Sequence, residues 1–99
     1  MRNYVRLNDL NLTLGFLREP EVKRKEMLVK IMEESFHRMT ATNNIDQKAE
    51  VTTGLLQRSL KKLEEEESYE ECQVFHQLLE VIPEVVTKIK SNEGNMETR

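Results

Sequence analysis

Apolar side chains recur three and four positions apart through most of this chain, the spacing of a single helical face. The stretch from Pro20 to Met39 shows it first. Leu28, Ile31, Met32, Ser35, Phe36 and Met39 line one side, while Lys23, Arg24, Lys30 and Glu33 line the other. Pro20 suits a first helical turn, where its missing N–H is no loss, and Glu19 and Glu21 complement the positive end of the helix dipole. The Thr-Ala-Thr-Asn-Asn run at 40–44 ends this helix, because Thr and Asn favour turns and caps.

A second helix is expected from about Asn44, whose spacing from Gln47 resembles a capping box. Val51, Leu55, Leu56, Ser59, Leu60 and Leu63 make its apolar side, interrupted only by Gly54, and its polar side ends in the run KKLEEEE. Ser68 and Glu71 repeat the S-x-x-E pattern and start a third segment. There Phe75, Leu78, Leu79, Ile82, Val85, Val86 and Ile89 form the cleanest stripe. Pro83 lies inside that stripe and removes one backbone hydrogen bond, so the last helix is expected to kink near 79–82 or to restart at Pro83.

The opening stretch LNLTLGFL is ambiguous. Leu10, Leu12, Leu14 and Phe16 alternate like a strand, but Leu7, Leu10, Leu14 and Leu17 also fit a helix. No second strand candidate exists in the chain, so a strand would need another copy or another protein beside it. The helical reading buries the leucines without a partner and is adopted. Four helices with short connections imply an all-α, antiparallel four-helix bundle over residues 1–91. The polar residues 92–99 are expected to be a disordered tail.

Composition supports this picture: many Leu, Glu and Lys, with three Gly, two Pro and no Trp. No apolar run is long enough to span a membrane, and the first residues lack a secretory pattern, so no membrane insertion and a cytoplasmic location are expected. The single cysteine, Cys72, fits a reducing compartment. The net charge of −3 is unevenly spread, with nine Lys/Arg against seven Asp/Glu in residues 1–48 and six against eleven in residues 49–99.

Few residues suggest chemistry. Glu34 and His37 form an E-x-x-H pair of the kind that binds metal in helical bundles, but His76 has Gln73 where the second pair needs a glutamate. A helical metal-binding protein is therefore an alternative, resting on Glu34 and His37 alone. Cys72 is flanked by Glu70 and Glu71, which blunt it as a nucleophile. The basic cluster Lys23-Arg24-Lys25 is hemmed in by glutamates, so nucleic acid is not an expected partner. No catalytic constellation and no cofactor site is expected.

The densest charge feature is the run Glu64 to Glu67 with Glu70 and Glu71. It sits at a helix junction, a common place for function, and carries Tyr69, an aromatic of the type enriched at binding hot spots. Glu65, Glu66, Glu67, Tyr69 and Glu70 are the candidate contacts for another protein with a basic surface, and a second candidate surface lies around Pro83. A homodimer is also compatible with the sequence.

The run EPEVKRKEMLVKIMEESFHRMTATNN, followed by a helix with paired leucines, resembles the immunity proteins of class II (pediocin-like) bacteriocins. The likeness covers residues 19–56 and rests on Pro20-Glu21-Val22-Lys23 and the turn from Thr40 to Asn44. It implies a cytosolic four-helix bundle that protects a producer cell at the bacteriocin's membrane receptor complex. Members of that family are often basic, whereas this chain is acidic. The expected function is thus a small non-catalytic helical protein that acts by protein–protein interaction, as a regulator, adaptor or immunity-type factor.

Overall fold

A computed structural model describes the backbone of residues 4–97 and the side chains through Ser91. Among these residues the chain is all-α, with no strand: two 3-10 turns, Leu7–Leu10 and Leu14–Arg18, precede α1 (Glu21–Arg38), α2 (Ile45–Glu65) and α3 (Tyr69–Glu97). No helix among them is long and apolar enough to cross a membrane.

The helices begin where the local chemistry directs. Pro20 is the N-cap of α1, and Asn44 Oδ1 caps α2 by accepting from the backbone N–H of Asp46 (2.9 Å) and Gln47 (3.1 Å). The reciprocal half of a capping box is not made, because the Gln47 side chain accepts from the Thr42 hydroxyl at 2.7 Å instead. The connections from 39 to 44 and from 66 to 68 are short, so each helix runs antiparallel to the next. This leaves α1 and α3 parallel, and Lys25–Glu84 (2.9 Å) and Glu33–Lys88 (2.7 Å) advance together along the two helices.

Both α1 and α2 pack mainly on α3 and touch each other far less. Their contact is made near the connecting loop, where Lys48 Nζ donates to the Phe36 carbonyl at 3.0 Å and the Thr52 hydroxyl donates to Met39 Sδ at 3.6 Å. Serving two neighbours, α3 is buried over a wide arc: Cys72, Val74, Phe75, Leu78, Val81, Ile82 and Val85 are all inside. That arc includes Val74 and Val81, which lie outside the single stripe predicted from sequence. From α1 come Leu28, Met32 and Phe36, and from α2 come Leu56, Leu60 and Leu63, so the predicted core is largely recovered. Ile31 is only half-buried, and Val51 is 58% exposed. The inner line of α2 runs through Ile45, Ala49, Thr52 and Leu56, and Val51 stands one position, about 100° of rotation, to its side.

Two expectations are corrected. The stretch from Leu7 to Leu17 is neither an α-helix nor a strand but holds two short 3-10 turns, so the described residues hold three α-helices rather than four. Leu7, Leu12 and Phe16 are buried at spacings of five and four, Leu10 and Leu17 are half-buried, and Leu14 is 49% exposed. Asn11 causes the break. It adopts the left-handed conformation (φ 60°), which ends the first turn with the Leu12 N–H donating to the Leu7 carbonyl (3.1 Å) and the Asn11 N–H to the Asn8 carbonyl (3.1 Å). Asp9 reinforces that turn, since its Oδ2 accepts from the Arg6 N–H at 2.8 Å.

The second correction concerns α3: of the kink and the restart expected at Pro83, the restart is overturned, since the helix passes through Pro83. Pro83 is exposed, so the carbonyl of Leu79 that loses its donor is on the solvent side. The backbone of 92–97 continues α3, while the side chains of the expected tail and residues 98–99 lie outside the described residues.

The left-handed turn gives a test of sign. Asn11→Ala should lower the unfolding free energy by about 1–2 kcal/mol, because alanine resists a positive φ, and Asn11→Gly should be nearly neutral. Urea titration of both variants reads this directly. Stabilisation by alanine would mean that a regular helix runs through position 11.

Candidate functional site

The acidic run lies where three chain segments meet. The last turn of α2 ends at Glu65 with Glu66 as its C-cap, the loop turns at Glu67, and Glu70 and Glu71 occupy the first turn of α3. Glu67 has φ 61°, and the Ser68 N–H donates to the Leu63 carbonyl at 2.9 Å, the same helix-ending geometry found at Asn11. A glutamate in this conformation costs about 1–2 kcal/mol that glycine would not. Glu70 and Glu71 complement the dipole of α3, but Glu64 to Glu67 crowd the negative end of α2. The corner therefore carries uncompensated negative potential.

The segment Tyr4–Leu17 answers part of that potential. It runs as a strap from the α2–α3 corner to the start of α1. At its head the Val5 N–H donates to Ser59 Oγ (2.8 Å), and the same hydroxyl donates to the Leu55 carbonyl (2.8 Å). Ser59 is 0% exposed, and this double use satisfies its buried hydroxyl. Arg6 then forks between Glu66 Oε1 (2.5 Å) and Glu71 Oε1 (3.0 Å), and the Leu7 N–H donates to Glu71 Oε2 at 3.3 Å. The hydrogen bond from Arg6 holds the Glu66 carboxyl below its usual range, and the Arg6 guanidinium is raised in return. Lys62 completes the collar, with its ammonium 6.0 Å from the centre of the Tyr4 ring.

The five residues expected to meet a partner thus fall into two groups. Glu66 is engaged by Arg6 and is not an open contact. Glu65, Glu67 and Glu70 are exposed together with Tyr69, which is 61% exposed, and Glu64 stands beside them. Among the described residues these four glutamates take part in no ion pair.

Next to the corner is a hollow of about 500 Å³ lined by Glu64, Tyr69, Cys72, Gln73 and His76. Cys72 is buried at its base and His76 is exposed at its rim. Burial pushes the Cys72 thiol up, and the charges of Glu64 and Glu71 push it further. Burial is thus a larger cause than the flanking Glu71.

The second expected surface, around Pro83, is separate from the corner. Pro83 lines an open groove of about 840 Å³ between α1 and α3, with Leu28 and Val81 at its apolar side and Gln77 near one end. Tyr69 is fourteen residues away along α3, roughly 21 Å at 1.5 Å per residue. The side-chain oxygen Oε1 of Gln77 is buried there with no hydrogen-bond partner among the described residues. Ion pairs from Lys25 to Glu84 and from Lys88 to Glu33 fasten the groove's rim.

Glu34 and His37 do not come together with other ligands. Both are exposed on α1, Glu34 pairs with Arg38 at 3.6 Å, and no group of three or more His, Cys, Asp or Glu among the described residues is placed to hold a metal ion. In the basic cluster, Lys23 pairs with Glu19 (3.4 Å) and Lys25 with Glu84, so two of its three cations have carboxylate partners. No protein-family model, no curated protein and no solved structure matches this chain.

Proposed function

We propose that this protein acts by binding another protein, and that Glu65, Glu67, Tyr69 and Glu70 at the α2–α3 corner receive a basic surface of that partner. The observation that carries this reading is the set of exposed carboxylates around an exposed tyrosine, held on a rigid two-helix junction whose α2 end already concentrates negative potential. Such a surface attracts cations over distance and orients them on approach, which accelerates association more than it deepens affinity. The role is that of a regulator, adaptor or immunity-type factor working without catalysis in the cytoplasm. Its immunity-type version rests on the resemblance of residues 19–56 alone.

A fluorescein-labelled nona-arginine peptide serves as the probe. Binding should weaken steadily as salt rises, because exposed charges are screened over about 10 Å at 0.1 M. Changing Glu65, Glu67 and Glu70 together to Gln removes three exposed pairs of about 0.2–1 kcal/mol each, so affinity at low salt should fall about tenfold. Circular dichroism should be unchanged, since none of the three side chains is buried. An unaltered affinity and salt dependence in the triple variant would remove the corner as a binding surface.

A further inference from the structure

We draw no further inference here: the strongest candidate, the open groove between α1 and α3 beside the unpartnered Gln77 Oε1, carries nothing, because its apolar floor of Leu28 and Val81 is already buried and nothing in the structure shows what covers it.

Discussion

Phe75→Ala is expected to lower the unfolding free energy by about 3–5 kcal/mol, the range for deleting a fully buried aromatic ring. Phe75 is 0% exposed and sits in α3, the helix against which both α1 and α2 pack. Because α3 is held between two helices, it is not free to shift and fill the space, which places the loss toward the upper end. Domains of this size are stable by about 5–15 kcal/mol in total, so the variant should unfold near or just above physiological temperature. Chemical denaturation followed by circular dichroism measures it. Leu56→Ala and Leu78→Ala should cost about 2–5 kcal/mol in the same experiment. A loss under 1 kcal/mol at all three positions would mean that the core is not centred on α3.

The second large effect is expected in the strap. Phe16 is buried in the same apolar cluster as the helices, although it belongs to a short 3-10 turn. Phe16→Ala should cost about 3–5 kcal/mol, while the helical signal under native conditions stays almost unchanged. That combination separates a strap that completes the core from one that merely lies over it. In the latter case the denaturation midpoint would hardly move.

The helices were legible because their evidence is local. Pro20, the Asn44 cap and the three-and-four spacing of Leu28, Met32 and Phe36 act within a few residues, and the structure follows them closely. The strap was not, since leucines at 7, 10, 12, 14 and 17 satisfy both periods and the deciding residue is a single asparagine at positive φ. Left-handed backbone at Asn11 leaves no mark on a hydrophobicity pattern. The acidic corner was visible as a charge run, but its division into engaged and open carboxylates was not. Arg6 lies sixty positions from Glu66, and nothing in the local sequence of either pairs them. Likewise, the S-x-x-E spacing of Ser68 and Glu71 marked the start of α3, while the Glu71 carboxylate is drawn to the strap by Arg6 and the Leu7 N–H.

The strap's long reach also sets an order of assembly during synthesis. Its anchors Ser59 and Glu71 lie 54 and 64 residues downstream of the strap residues they hold. At about 5–20 residues per second, the strap waits roughly 3 to 13 s on the ribosome before those anchors exist. Through that interval α3, on which the Leu14–Arg18 turn packs, is not yet made, whereas α2 and α3 can pair through contacts close in sequence as soon as both are made. Asp9 and Asn11 close the first turn from within, using residues already synthesised, and so keep the segment compact while it waits. The strap, made before the helices, is therefore among the last segments to reach its place.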